Sequence, residues 1–264
     1  VFDEAHNIER SATSYFSASF SRFQIAKYTG RLYKEKKRKR HGLLLGLERI
    51  LGRGGKLAEI RKAIADLILK AEALDASALA LMGEQAALRL VSGEADESWE
   101  RLLFAPLEEL VRCLASLGAL FESLCDELAS DGKEPENYFV YECRIQLRRL
   151  MAVAEIAQRF LRFREAKGEV FWLESRRSHQ GQSFVRFTIT PLSIAAMMEQ
   201  AVYRPFRSVI FTSATLAVSG SFGYWKSRLG LAQGDFRETR ERIFPSPFDF
   251  ERNVLLGLTA KAPE

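Results

Sequence analysis

Two acids and a histidine lie together at the start of the sequence, where Asp3, Glu4 and His6 follow Val1 and Phe2. The apolar pair is typical of the end of a buried strand. The acids are therefore predicted at a strand's carboxyl end, where open α/β sheets bind their ligands. A carboxylate in that place can hold magnesium through its water shell, because Mg²⁺ binds one or two carboxylates together with phosphate oxygens. Asp3 is the predicted magnesium ligand.

Glu4 and His6 extend this prediction to the hydrolysis of a nucleoside triphosphate. A carboxylate beside the metal can orient or deprotonate the water that attacks the γ-phosphate, so Glu4 is predicted to activate that water. His6 is placed to sense the nucleotide and to pass its state on. Asp3 is also predicted to cap the turn into a following helix. The alternative is that the acids form only an N-cap on a surface helix.

A second candidate motif is Ser213-Ala214-Thr215, which follows an apolar strand predicted at 208–212. Because both motifs follow strands, the hydroxyls of Ser213 and Thr215 are expected to lie beside the acid pair at the sheet edge. On its own, a pair of hydroxyls after a strand is more often a turn or a helix cap.

The composition predicts an ordinary folded protein with a polyanionic partner. The chain has 264 residues, of which 47% are hydrophobic and 28% charged, so it can bury one sizeable core or two smaller ones. Lys and Arg number 39 against 34 Asp and Glu, and the excess is bunched, which favours binding to a polyanion. No apolar run of about 18 residues and no signal segment occurs. We therefore expect a cytoplasmic protein without a membrane partner.

The elements between the two motifs are predicted to be mainly helical. Residues 22–167 are rich in Leu, Ala, Glu, Lys and Arg, which predicts a bundle of about four antiparallel helices. These helices include Leu57–Leu74, Ala76–Leu90, Glu97–Ala129 and Tyr138–Lys167. Short strands follow at 169–174 and 183–190, and Pro191 is predicted to start a helix. The predicted fold class is α/β with a large all-α insertion.

Two basic groups are candidate DNA-binding surfaces. The first is the charge run Lys34, Lys36, Lys37, Arg38, Lys39 and Arg40, which could neutralise phosphates or simply form a solvated helix end or loop. The second is the arginine series Arg144, Arg148, Arg149, Arg159, Arg162 and Arg164 with the aromatics Tyr138, Phe139, Phe160 and Phe163. Arginines beside aromatics can follow a single strand by phosphate contact and stacking. The three-residue spacing of Phe160 and Phe163 favours the core instead.

Together these motifs resemble the superfamily-two helicases, and more closely the XPD/DinG branch of iron–sulfur-type DNA helicases. The resemblance rests on VFDEAHNIE at 1–9, on TSATL at 212–216, and on the segments 222–231 and 246–250. It covers the helical middle only by length and position. The resemblance implies a partial RecA-like motor domain plus a helical-bundle Arch domain. Its segments are motor domain 1 at 1–21, the Arch insertion at 22–167, a return to motor domain 1 at 168–220, and the start of motor domain 2 at 221–264.

The resemblance also implies an activity. The parent protein would couple hydrolysis of magnesium-bound ATP to unwinding of DNA, moving 5′ to 3′ in DNA repair or replication. The Arch would guide single-stranded or forked DNA with basic residues on its inner face. The rival hypothesis is a non-enzymatic helical module that binds DNA or a protein and retains a vestigial acid box.

Several parts of that family are not found in this sequence. No phosphate-binding Gly-x-x-x-x-Gly-Lys-Ser/Thr loop occurs, since Gly55-Lys56 is followed by Leu57. The family's iron–sulfur cysteines precede the acid box, so an iron–sulfur cluster of the parent would not be ligated here. Cys113, Cys125 and Cys143 are interpreted as buried free thiols. Because the first residue is Val1, we expect a piece of a longer protein that does not hydrolyse ATP by itself.

Overall fold

The computed structural model describes residues 1–37, 39–51, 55–91, 97–130, 138–231, 238–255 and 257. Its helices are α1 (Ile8–Phe16), α2 (Arg22–Leu32), α3 (Leu44–Leu51), α4 (Gly55–Met82), α5 (Glu97–Trp99), α6 (Ala105–Ser130), α7 (Tyr138–Leu161), α8 (Ala195–Met198), α9 (Gly223–Arg228) and α10 (Phe250–Asn253). Its strands are β1 (Ala18–Phe20), β2 (Lys34–Lys36), β3 (Lys39–His41), β4 (Ala87–Arg89), β5 (Glu169–Arg177) and β6 (Ser183–Pro191). A 3-10 turn at Ala5–Asn7 precedes α1. The π-helical turns Glu100–Phe104 and Glu199–Tyr203 follow α5 and α8.

The chain divides into two compact units. One consists of Val1–Ala12 and Ile194–Glu264, and the other of Thr13–Ser193. The strands β5 and β6 therefore belong to the same unit as the helices α2 to α7. The assignment of these segments to motor and Arch domains stays a prediction.

An antiparallel sheet with the strand order β1-β6-β5-β4 lies in the unit 13–193. Its centre is the hairpin of β5 and β6, whose apolar and polar residues alternate as in a sheet with one covered face. The hairpin turns between Ser178 and Gln182, where Gly181 adopts a φ of 78° that favours glycine.

The helices of this unit pack on one face of the sheet. Rings of Phe20 and Phe187 stack at 4.6 Å, and the ring of Phe160 on α7 meets Phe187 edge-on at 5.7 Å. Phe160 and Phe163 are buried, so their interpretation as core residues is confirmed. One apolar core thus joins the sheet to α2, α4, α6 and α7.

A buried carboxylate also ties α4 to the sheet. Oδ1 of Asp75 accepts a hydrogen bond of 2.7 Å from the N–H of Val185 on β6. Its Oδ2 lies 2.8 Å from Nε of Arg22, in an ion pair without hydrogen-bond geometry. Burial raises the pKa of the Asp75 carboxyl, and the Val185 N–H and the Arg22 charge oppose that effect. Asp75 therefore fixes the position of α4 on β6.

The structure corrects several expectations about elements. The segment 22–167 is not all-α, because it contains the hairpin of β2 and β3 and the strand β4, which completes the sheet. The helices predicted at 57–74 and 76–90 are joined into one helix, α4, since neither Gly nor Pro interrupts the sequence from 57 to 82. The prediction was wrong for residues 83–90, because α4 ends at Met82, Gly83 adopts a φ of 58°, and β4 follows. Pro191 does not start a helix: it is the last residue of β6, where a missing N–H costs no ladder bond. The fold is mixed α/β, mostly helical with a small antiparallel sheet.

The predicted strand at 208–212 pairs more briefly than expected. Phe211 forms an isolated parallel bridge with Phe2, and no regular strand is present there among the described residues. The pairing ends because the chain turns after Phe2, with Glu4 in the left-handed region at a φ of 49°. Within the part of the chain that the structure describes, no helix is long and apolar enough to cross a membrane.

Candidate functional site

The acid box and the serine motif lie side by side in the smaller unit. The N–H of Phe2 donates to the carbonyl of Ile210 at 2.8 Å, and the N–H of Thr212 donates to the carbonyl of Phe2 at 2.9 Å. The N–H of Ala5 then donates to the carbonyl of Thr212 at 2.9 Å. These backbone bonds continue past the short bridge, so residues 3–6 and 212–215 share one edge.

Asp3 is held by two hydrogen bonds to the same carboxylate oxygen. Its Oδ1 accepts from Oγ1 of Thr212 at 2.7 Å and from the N–H of Glu4 at 3.0 Å. These bonds, that of Thr212 first, lower the pKa of the exposed Asp3 carboxyl. Asp3 does not cap a helix, since Glu4 occupies the cap position of the 3-10 turn without a side-chain bond. The second oxygen of Asp3 makes no hydrogen bond to the described residues.

Glu4 presents its carboxylate to solvent from a strained backbone position. Its φ of 49° and ψ of 43° are uncommon for a residue other than glycine, and such positions are found more often at functional sites. The side chain is 67% exposed, and Oε2 lies 3.2 Å from Nδ1 of His6. This arrangement leaves the carboxylate accessible to a water molecule.

His6 connects the two motifs. The amide of Asn7 donates to Nε2 of His6 at 2.9 Å, which assigns the proton of a neutral ring to Nδ1. Nδ1 then donates to Oγ of Ser213 at 2.9 Å. The same Oγ accepts from the N–H of Thr215 at 3.4 Å, while Ala214 is exposed and offers no side-chain polar group. Ser213 is thus the residue of its motif that contacts the acid box.

Three residues at this site were not predicted as site residues from the sequence. Thr212 binds Asp3, and its only sequence signal is a hydroxyl immediately before Ser213. Trp225 on α9 donates from Nε1 to the carbonyl of Ala5 at 3.4 Å. Arg228 on the same helix forms an ion pair with Glu9. Since Trp225 and Arg228 are more than 200 positions from their partners, sequence spacing could not identify them.

The donor set at this edge fits magnesium better than a softer metal. Among the described residues no group of three or more His, Cys, Asp or Glu side chains could hold a metal ion. Magnesium needs no such group, because it takes one or two carboxylates and fills its other positions with water and phosphate oxygens. The free oxygen of the ionised Asp3 matches that requirement.

The basic run of residues 34–40 forms a hairpin, not a helix end. Cross-strand pairing places Lys34 opposite His41 and Lys36 opposite Lys39, and all four side chains are exposed. Since side chains alternate between faces, these four share one face, which we name the hairpin's cationic face. Lys37 lies in the turn, Arg40 pairs with Glu35 on the opposite face, and Arg38 lies outside the described residues. The like charges of Lys36 and Lys39, directly opposite each other, are destabilising, so this face favours a bound anion.

The arginines of α7 and the turn after it divide into free and engaged side chains. Arg144 and Arg148 are exposed, are four residues apart on one helix face, and make no hydrogen bond or ion pair to the described residues. Arg149 lies 5.7 Å above the ring of Tyr28, and Arg159 pairs with Glu169. Arg164 lies 5.3 Å above the ring of Phe163, and Arg162 is exposed, with no hydrogen bond or ion pair from its side chain to the described residues. Arg144 and Arg148, which are free and share one helix face, are the better candidates for a phosphate.

The thiols have no metal or disulfide partner among the described residues. Cys143 is buried, and Cys113 and Cys125 are half-buried. Burial raises the pKa of Cys143 to about 12 and raises that of Cys113. A thiol of such high pKa stays protonated at neutral pH and is a poor metal ligand.

Comparison with known proteins gives distant, partial similarity to one group of helicases. The chain is 33% identical over 97 residues to the ATP-dependent DNA helicase YoaA of Escherichia coli, 37% of this chain. It is 28% identical over 162 residues, 60% of this chain, to the 3'-5' exonuclease DinG of Bacillus subtilis. It is 27% identical over 95 residues, 36% of this chain, to the probable ATP-dependent helicase YpvA of Bacillus subtilis. No protein-family model matches the sequence.

These alignments cover a small part of each relative. The matched segments span 14% of YoaA, 17% of DinG and 13% of YpvA. The similarity therefore relates this chain to a piece of proteins that are much longer than the matched segments.

Proposed function

We propose that this chain is part of an ATP-dependent DNA helicase of the XPD/DinG type. The observation that carries this proposal is the juxtaposition of Asp3 with Thr212 and of His6 with Ser213. The similarity to YoaA, DinG and YpvA supports it. The segments of RecA-like motor domain and Arch, the 5′ to 3′ direction and a role in DNA repair or replication belong to the same proposal.

Each residue of the acid box has a role in this proposal. Bound magnesium would neutralise charge on the phosphates of ATP, and Asp3 would hold it through a coordinated water. Glu4 orients and deprotonates a water molecule for attack on the γ-phosphate. His6 donates to Ser213 and lies beside Glu4, so a shift of Glu4 on hydrolysis changes the bond between the two motifs.

The test of hydrolysis uses the full-length gene product that contains this chain. We expect Glu4→Gln to lower ATP turnover by roughly 10²- to 10⁴-fold while ATP binding is retained, because the amide cannot accept the proton. Glu84→Gln is the matched control, since Glu84 is exposed and makes no contact at the site. Equal turnover of the two variants would contradict the proposal and favour a non-enzymatic module with a vestigial acid box.

The proposed DNA interaction is tested on the chain itself. Reversing the charge of Lys36 and Lys39 on the hairpin's cationic face should weaken binding of single-stranded DNA and flatten its salt dependence. The slope should change by about 0.7 for each phosphate that the variant no longer neutralises.

Lys27 and Lys62, both exposed on helices, provide the matched double reversal. If both double variants change binding equally, the hairpin does not bind DNA specifically. A companion reversal of Arg144 and Arg148 tests α7 in the same way.

A further inference from the structure

The sheet of the larger unit has a second face, opposite the helical core, that is partly exposed. Side chains alternate between the two faces of a strand, and cross-strand partners share a face. Phe20, Leu173, Val185 and Phe187 point into the helical core. The residues of the opposite face, which we name the outer face, are Ser19, Arg89, Trp172, Glu174, Arg176, Phe184, Arg186 and Thr188.

The hydrogen bonds between strands agree with this assignment. Arg186 donates to Oγ of Ser19 at 3.0 Å, and Thr188 donates to Oε2 of Glu174 at 3.3 Å. Farther along, Thr188 and Val170 are buried and Thr190 is half-buried, so that end of the face is covered as far as the strand position beside Trp172. The accessible part extends from Trp172 toward Arg176 and Arg186.

The accessible part carries two aromatic side chains, of which Phe184 packs against Phe23 on α2 and Trp172 does not contact another described ring. The cross-strand neighbours of Trp172 are Arg89 on one side and Thr188 on the other, followed by Ser19. The hydroxyl side chains are too short to cover an indole. Trp172 is half-buried and makes no ring contact with another aromatic residue among those described. A half-buried aromatic ring on an antiparallel sheet is a suitable surface for stacking a flat ligand.

The charges around Trp172 are mostly positive. Arg89, Arg176 and Arg186 are exposed, whereas Glu174 is the one acid of the outer face and forms an ion pair of 3.0 Å with Arg176. Among the described residues, the side chain of Arg186 bonds only to the neutral hydroxyl of Ser19, and Arg89 makes no hydrogen bond or ion pair. Neither arginine therefore forms an ion pair with a described residue, although Glu174 lies directly across the strands from Arg186.

The distances suit a nucleotide strand. Arg89 lies one strand away from Trp172, about 4.8 Å in a sheet, and Arg186 lies diagonally across at about 7–8 Å. Both long side chains can reach phosphates that flank a base on the indole. We propose that the outer face binds single-stranded DNA, with Trp172 stacking on a base and Arg89 and Arg186 contacting the phosphates. This inference takes its class of ligand from the proposed function.

The first experiment measures binding of the chain to a fluorescent single-stranded oligonucleotide and to the matching duplex. We expect Trp172→Ala to weaken single-strand binding roughly 5- to 150-fold, the range for loss of one stacked base. Trp172→Phe, which keeps a ring, should retain most of the affinity. The exposed Tyr15→Ala on α1 is the control for loss of an aromatic side chain. Thermal unfolding monitors whether each variant is folded.

A second readout does not depend on affinity. Single-stranded DNA should quench the tryptophan fluorescence of the wild-type chain, and this quenching should be absent in Trp172→Phe, which keeps Trp99 and Trp225. Replacing Arg89 and Arg186 with Gln should reduce the salt slope by about 0.7 for each.

The outcomes separate this inference from the proposed function. If Trp172→Ala and Trp172→Phe bind like wild type while the Lys36 and Lys39 reversal weakens binding, the outer-face inference is wrong and the proposed function stands. If Trp172→Ala weakens binding of duplex and of single-stranded DNA equally, the proposed stacking of Trp172 on a base is also wrong. If the Glu4→Gln enzyme retains full turnover while Trp172→Ala abolishes quenching and affinity, the proposed function is wrong and the DNA site stands. If another protein segment buries the outer face, single-stranded DNA will not quench the fluorescence of Trp172, and that result would overturn the inference.

Discussion

Nδ1 of His6 donates a hydrogen bond of 2.9 Å to Oγ of Ser213, although the two residues are 207 positions apart. The bond joins the acid box to a segment that also contacts it through backbone pairing and through the hydrogen bond from Thr212 to Asp3. It offers a path by which events at Glu4 reach residues 212–215.

Ser213→Ala in the full-length protein removes this bond and leaves the acids in place. We expect DNA unwinding to fall by roughly 2- to 30-fold, the range for removal of a coupling interaction, with ATP hydrolysis changed less. Parallel unwinding and ATPase assays measure the ratio of the two. Ser11→Ala on α1 is the control, because Ser11 is exposed and its side chain bonds to nothing among the described residues. An equal fall in both activities would show that Ser213 supports hydrolysis itself.

Thr212→Val removes the bond that contributes most to lowering the pKa of Asp3. We expect the pKa of Asp3 to rise toward its ordinary value, as measured by NMR titration of the carboxyl carbon. Because the folded pKa is lowered, the stability that Asp3 contributes is present above the ordinary pKa and is lost as pH falls through the folded value. The loss of stability in acid that is due to Asp3 should therefore be smaller in Thr212→Val than in the wild type. Thr215→Val, whose hydroxyl does not contact Asp3, should leave the titration unchanged.

Gly46→Ala tests the packing of α3 against α7. A Cβ at position 46 would lie 2.3 Å from the ring of Phe139, which cannot move aside as a flexible chain end could. We expect a loss of about 1–3 kcal/mol in the free energy of unfolding, measured with urea. At Gly30 on α2 the nearest atom is 3.9 Å away, so Gly30→Ala should stabilise by up to about 1 kcal/mol. Adding Phe139→Leu should recover part of the loss at position 46, and no recovery would contradict this packing.

Asp75→Asn tests the buried ion pair with Arg22. Burial raises the pKa of Asp75 in the folded protein above its ordinary value of 3.8. The stability that the protonated Asp75 carboxyl contributes is therefore fully present below pH 3.8, and it is lost as pH rises through the pKa of the folded protein. The wild type should therefore exceed Asp75→Asn by more in acid than at neutral pH, as measured by urea unfolding across that range. A difference that grows with pH would show that the Arg22 charge outweighs burial. Asp66→Asn, exposed on the same helix, should change stability by less than about 0.5 kcal/mol.

The sequence was sufficient to place the acid box and the serine motif together, because both follow apolar segments that end at one edge. The hairpin strands at 169–174 and 183–190 were also predicted by their alternation, and the structure extends them to Glu169–Arg177 and Ser183–Pro191. Both successes rest on local sequence patterns: an apolar segment before each motif, and the alternation of the hairpin strands.

Features that depend on distant partners could not be predicted. Ala87–Arg89 has no alternation long enough to indicate a strand, and it becomes one by pairing with β5. The lysine-rich run looked like a helix end or loop, because no apolar face marks a hairpin with both faces in solvent. Trp225 and Arg228 reach the acid box only through the fold. In each case the deciding interaction is tertiary.

The order of strands in the sheet has a consequence for synthesis of the protein on the ribosome. Ala18 on β1 pairs with Ile189 on β6, so the first strand made must wait for the last before its ladder can close. The helices between them can form early, but their apolar faces lack the sheet until β5 and β6 emerge. Until β5 and β6 have left the ribosome, the nascent chain therefore exposes apolar helix faces that the sheet later covers, and such surface is prone to aggregation.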